Sequence, residues 1–63
     1  MGKRIIFADE NDSKLESYVN KGGNLIISVY QKKEQYFWES ISLNKETAIM
    51  LITHLQSLLQ EIK

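Results

Sequence analysis

The sequence predicts an α+β fold in which a small antiparallel sheet of three to four strands precedes one C-terminal amphipathic helix. The helix is expected to pack on one face of the sheet, in β-β-β-β-α order. Three observations support this. Two strand-like runs flank the pair Gly22 and Gly23, a third run, YFWESISL, follows a charged turn, and the C-terminal third repeats apolar residues at spacings of three and four. With 63 residues and 7.3 kDa, the chain is expected to form a single domain, 1–63.

The N-terminal half contains a short strand, KRIIFA, a polar DENDS loop and then a hairpin built from KLESYVN and NLIISVYQ. A three-residue loop with Gly23 in the left-handed region would pair Asn20 with Asn24. Because side chains alternate along a strand, this register collects one set of aliphatic residues on a single face. That set is Leu15, Val19, Leu25, Ile27 and Val29.

The face on which the three consecutive aromatic residues of YFWES lie depends on the length of the KKEQ turn. An even loop would place Trp38 opposite Val29 and mix the two kinds of side chain. An odd loop would put Phe37, Ile41 and Leu43 with the aliphatic set. We favour the odd loop because it separates aliphatic from aromatic residues, although it places Glu39 on the inner face. The opposite side, called the aromatic face from here on, then carries Tyr18, Ile26, Tyr30, Tyr36 and Trp38.

The segment from Asn44 to the end is predicted to be an amphipathic helix. Asn44 is a good N-cap and Glu46 suits the helix dipole in the first turn. Burial of its large aliphatic side chains would contribute on the order of 10 kcal/mol before entropy, so we expect the helix to lie against the sheet or another helix. These residues form the apolar stripe: Ala48, Leu51, Ile52, Leu55, Leu58, Leu59 and Ile62. One helix covers only one face of the sheet, so the aromatic face is left uncovered.

Composition narrows the function classes. Eight Lys plus Arg balance eight Asp plus Glu, so the chain lacks the strongly basic surface of a duplex-DNA binder. It has no cysteine and no apolar run long enough for a membrane span, which favours a cytoplasmic location. A chain this small without disulfide or metal is usually stabilised by association, so a homodimer is expected.

No recognisable catalytic or metal-binding arrangement is present in the sequence. The acidic residues Asp9, Glu10 and Asp12 lack the ligand spacing and glycine of a calcium loop and are interpreted as a solvated loop. His54 has no nucleophile or second base in a known arrangement beside it. We therefore predict a protein that is not an enzyme and needs no cofactor.

The rings of the aromatic face have three alternative environments. Bases of single-stranded DNA or RNA could stack on Tyr18, Tyr30, Tyr36 and Trp38, with Lys32 and Lys33 contacting phosphates. A partner subunit or another protein could cover the same rings, since Trp and Tyr are enriched in interfaces. In the even-loop register the rings would instead enter the core. The first option predicts a nucleic-acid-binding module, and the second an accessory protein, such as a phage or mobile-element inhibitor.

Two family resemblances favour the nucleic-acid hypothesis. The segments YVNKGGNLIISV and YFWESISL, followed by a helix from NKET to QEI, resemble the Pur-alpha repeat across roughly 14–62. The stretch ISLNKETAIMLITHLQSLL is similar to the end of the single-strand-binding transcriptional coactivator and Whirly families, where a strand runs into a helix that forms the dimer. Both resemblances imply binding of single-stranded nucleic acid by the sheet of a paired module. The chain has fewer basic residues on its strands than these families.

Overall fold

The computed structural model describes residues 4–32 and 36–63, and within them it has the predicted α+β architecture. Four antiparallel strands form one sheet in the order β1-β2-β3-β4, and a single helix follows. The elements are β1 Ile5–Ala8, β2 Lys14–Val19, β3 Leu25–Lys32, β4 Tyr36–Leu43 and α1 Lys45–Leu59. Each strand pairs with the next one along the chain, so the sheet is a simple meander.

The β2–β3 hairpin has the predicted loop and register. The Gly23 amide donates to the Asn20 carbonyl at 3.0 Å, and Gly23 has φ +84°. Glycine suits this position because a side chain is disfavoured in the left-handed region. The Asn20 amide donates to the Asn24 carbonyl at 3.0 Å, which closes the ladder above the loop. Leu15 therefore faces Val29 across the strands, as predicted.

The β3–β4 register is that of the odd loop. Ile27 is paired with Ile41 and Leu25 with Leu43, whereas Tyr30 is paired with Trp38. Since alternate residues point to opposite sides, the two sets are separated, and the even-loop placement of the rings in the core is excluded. The side opposite the aromatic face is called the aliphatic face, and its described members are Ile5, Phe7, Leu15, Val19, Leu25, Ile27, Val29, Ile41 and Leu43.

Strand β1 joins the sheet through a loop organised by Asp9. The Asp9 carboxylate accepts hydrogen bonds from the amides of Asn11 at 2.8 Å and Ser13 at 3.0 Å. Asp12 adopts φ 63°, a left-handed conformation that aspartate tolerates better than most residues. The acidic side chain at the start of this loop thus shapes a turn that brings β1 against β2.

The helix begins as predicted and ends earlier. The Asn44 carboxamide oxygen accepts from the Thr47 amide at 2.9 Å, which is the N-cap bond. The predicted stripe continued to Ile62, but the helix ends at Leu59 and Ile62 lies beyond it, 71% exposed. Its last turn has no basic side chain to interact favourably with the carbonyl end of the helix. Helix α1, the single helix in the described residues, does not combine the length and apolar character that are needed to cross a membrane.

The predicted packing of the helix on a face of its own sheet is not found. Helix α1 makes its main contacts with β4, the strand it follows, and contains no buried residue. The physical reason is the connection, because Asn44 alone separates the two elements, whereas about two to six residues usually connect a strand to a helix that packs on its sheet. Consequently, none of the hydrophobic side chains described in 4–31 and 38–63 is buried.

Candidate nucleic-acid interface

Tyr30 and Trp38 form a ring pair at the centre of the aromatic face. The two residues are opposite each other on β3 and β4, which brings their ring centroids to 5.2 Å with an interplanar angle of 38°. This distance lies in the range where aromatic pairs attract each other. Tyr30 is half-buried, whereas Trp38 is 46% exposed, so part of the indole remains open to a ligand.

A lysine lies beside this ring pair. Lys14 on β2 is opposite Tyr30, and its Nζ is 5.9 Å from the centroid of the Tyr30 ring, at the outer limit of a cation–π contact. The ammonium group, Tyr30 and Trp38 therefore form one row across three strands. A row that combines open ring surface with a cation suits a nucleotide, which has a base to stack and a phosphate to neutralise.

The next row across the sheet has Ile6 and Glu16 on β1 and β2, and small hydroxyl side chains on β3 and β4. Ser28 and Ser40 are opposite each other, and their Oγ atoms are 2.7 Å apart in a hydrogen bond. Ser28 is the one buried residue of the described chain, with 5% of its surface exposed. One row further, the Asn24 Nδ2 donates to the Ser42 Oγ at 3.3 Å. Hydroxyl and amide groups both donate and accept hydrogen bonds, which suits polar contacts without a strict sequence preference.

The third row contains Tyr18, whose ring is covered by Arg4. The Arg4 guanidinium carbon lies 4.1 Å from the Tyr18 ring centroid, and the Arg4 Nε donates to Glu16 Oε2 at 3.1 Å. The Glu16 side chain is 14% exposed and that of Arg4 57%, so the ion pair closes over this end of the face. A base would have to displace Arg4, or stack on it, before it reached Tyr18.

The sequence predicted six site residues, and the structure describes three of their side chains. Tyr18, Tyr30 and Trp38 lie on one face. The row that contains Tyr18 is about 13 Å along the strands from the row of Tyr30 and Trp38, because four residues of a strand span about that length. Lys32 and Tyr36 are paired at the end of the β3–β4 hairpin. Their side chains, and Lys33 altogether, lie outside the described residues.

Sequence reasoning missed two parts of this face. The first is the pairing of Arg4 with Glu16 over the Tyr18 ring. The β1 register that brings it there follows from the five-residue loop, whose geometry the sequence does not specify. The hydrogen bond between Ser28 and Ser40 was also missed, although it follows directly from the odd loop.

The described residues contain no candidate metal site. Nowhere in 4–32 and 36–63 do three or more histidine or acidic side chains gather in a way that would hold a metal ion. Asp9, the first residue of the acidic loop, uses its carboxylate to bind backbone amides.

No protein-family profile matches the chain, and no curated protein or solved structure is significantly similar to it.

Proposed function

We propose that this chain is a small single-stranded nucleic-acid-binding module that acts as a homodimer and binds DNA or RNA on its aromatic face. One observation carries the proposal. Trp38 is partly exposed, is held against Tyr30, and has Lys14 in the same row, so ring surface and positive charge lie together on one face of the sheet.

The physical basis is base stacking, with electrostatics in a secondary role. A base stacked on an aromatic side chain contributes about 1–3 kcal/mol in such sites and does not depend on sequence. The zero formal charge of the chain does not favour the larger electrostatic attraction of a duplex binder. Stacking requires unpaired bases, which is why we propose single strands. The resemblances to single-strand-binding families point the same way and remain predictions.

A protein partner is the second candidate. Two observations favour it. The formal charge is zero, and the helix exposes Met50, which points nearly away from the apolar stripe and is 70% exposed, and Ile49, which flanks the stripe and is also exposed. An accessory protein would use these side chains, or the aromatic face itself, to bind another protein. In that case oligonucleotides would leave the rings unaffected.

Trp38 fluorescence tests the proposal, because Trp38 is the one tryptophan of the chain. The protein is titrated with a mixed-sequence single-stranded oligonucleotide at low and moderate salt, and with the matching duplex as control. We expect saturable quenching that weakens with salt and exceeds the duplex response. A flat titration with single strands at low salt would refute binding at this face and favour the protein-partner function.

The proposal involves no reaction, no metal and no cofactor. It places the module in the cytoplasm, as the sequence predicts.

A further inference from the structure

The isolated chain has a larger solvent-accessible surface than is expected for a compact monomer of its mass. A compact monomer of 7.3 kDa is expected to expose about 4,200 Å². This chain exposes 5799 Å², an excess of about 1,600 Å². Its radius of gyration, 13.2 Å, also exceeds the roughly 10.6 Å expected for a compact domain of this length. A stable interface buries about 800 Å² per partner, so the excess is enough for a large one.

The exposed apolar surface is concentrated in two places on the same chain. The first is the aliphatic face, where Leu15, Val29 and Ile41 are all exposed and a shallow groove runs past Ile27 and Val29. The second is the apolar stripe of the helix, of which Leu55 and Leu59 are more than half exposed. One surface is a sheet without a covering helix, and the other is a helix without a sheet to cover.

The two surfaces match in size. A 15-residue helix is about 22 Å long. The axes of the first and last strands of a four-stranded sheet are about 14 Å apart. One helix therefore reaches across all four strands. Within one chain this pairing is not formed, because helix α1 contacts mainly β4 and buries none of its residues, so the covering helix comes from another molecule.

We infer that two copies of this chain pair about a two-fold axis, with the apolar stripe of each helix lying on the aliphatic face of the other copy. This specifies the partner and the interface of the homodimer in the proposed function, but it does not depend on nucleic-acid binding. A second copy is the fitting partner because it supplies a helix for the uncovered sheet and a sheet for the uncovered helix. A two-fold axis makes these two helix–sheet contacts identical. The zero formal charge also means that two copies do not repel each other.

This dimer leaves the aromatic face open. Helix and partner occupy the opposite side of the sheet from Tyr30 and Trp38, so the ring pair stays accessible to a ligand in the assembled protein. Glu39 lies on the aliphatic face, opposite Val29 on the edge strand β4. A helix that covers all four strands would approach this carboxylate. Because burial of an unpaired charge is unfavourable, the partner's helix is expected to leave the Glu39 carboxylate exposed.

The first test uses the unmodified protein without nucleic acid. Sedimentation equilibrium should give twice the chain mass of 7.3 kDa at micromolar concentration, and the Tm should rise with protein concentration. In a sample mixed from differently labelled copies, isotope-filtered nuclear Overhauser spectra should connect Leu55 and Leu58 methyl groups of one copy to Ile27 and Val29 of the other. A monomer with a concentration-independent Tm would overturn the inference, as would intermolecular contacts between helices alone.

A matched pair of variants provides the second test. Leu55→Lys puts a charge in the middle of the stripe and should weaken the dimer by at least about 100-fold, because the ammonium would have to be buried without a partner. Thr53→Lys adds the same charge about 160° away around the helix and should leave the dimer unchanged. Equal effects of both substitutions would overturn the inference. Since neither measurement involves oligonucleotides, a failure here is distinguishable from a flat Trp38 titration.

Discussion

Replacement of Trp38 by alanine should weaken the binding of single-stranded oligonucleotides about 5- to 150-fold. Trp38 is 46% exposed and Tyr30 covers part of its indole, so one face of the indole is available to a base. The substitution therefore removes one base stack. A single stack contributes about 1–3 kcal/mol, and each 1.4 kcal/mol is a factor of ten in Kd. Because the substitution removes the fluorophore, binding is measured by the anisotropy of an end-labelled oligonucleotide at low salt.

Two control variants separate stacking from other causes. Trp38→Phe keeps a ring and should lose less affinity than Trp38→Ala. Met50→Ala removes a side chain that is 70% exposed on the helix, away from the sheet, and should bind within twofold of the unmodified protein. Circular dichroism checks folding, since loss of the ring pair costs about 0.5–1.5 kcal/mol. A folded Trp38→Ala protein with unchanged affinity would refute the assignment of the site.

Three further outcomes follow from individual contacts. Lys14→Gln should reduce the slope of log K against log salt by about 0.7, the value for one phosphate contact on a single strand, and an unchanged slope would remove Lys14 from the site. Asn44→Ala should lower the free energy of unfolding by about 1 kcal/mol in urea, because the bond to the Thr47 amide is lost, whereas Asn44→Asp should be nearly neutral. Gly23→Ala should lower the free energy of unfolding by about 1 kcal/mol, because Gly23 has a φ of +84°. Gly22→Ala should lower it less, because the added carbon would meet only Asn20 Oδ1 at 3.5 Å. Equal losses of stability would contradict the turn assignment.

The fold class and most of the register could be predicted because they depend on local signals. Gly23 fixed the loop of the β2–β3 hairpin, and the period-two pattern then fixed which residues face each other. Asn44 marked the start of the helix in the same way. The β3–β4 register was left open between two loops, because a one-residue difference in a charged turn has no clear sequence signal. The preference for separated faces was correct, since Tyr30 is paired with Trp38.

The candidate site was predicted in part for the same reason. Tyr18, Tyr30 and Trp38 share a face because alternation is a property of the strand itself. The covering of Tyr18 by Arg4 depends on how β1 docks after a five-residue loop, and no local pattern encodes that docking.

By itself the sequence determined which elements form, in which order, and which side chains each element presents together. Only the tertiary structure decided where the apolar stripe goes. The sequence indicated that the stripe must be buried, but the direction of the helix depends on the short connection at Asn44, which carries Leu55 and its neighbours away from the sheet of their own chain. Apolar periodicity records that a surface avoids water, and it contains no information on which molecule supplies the other side.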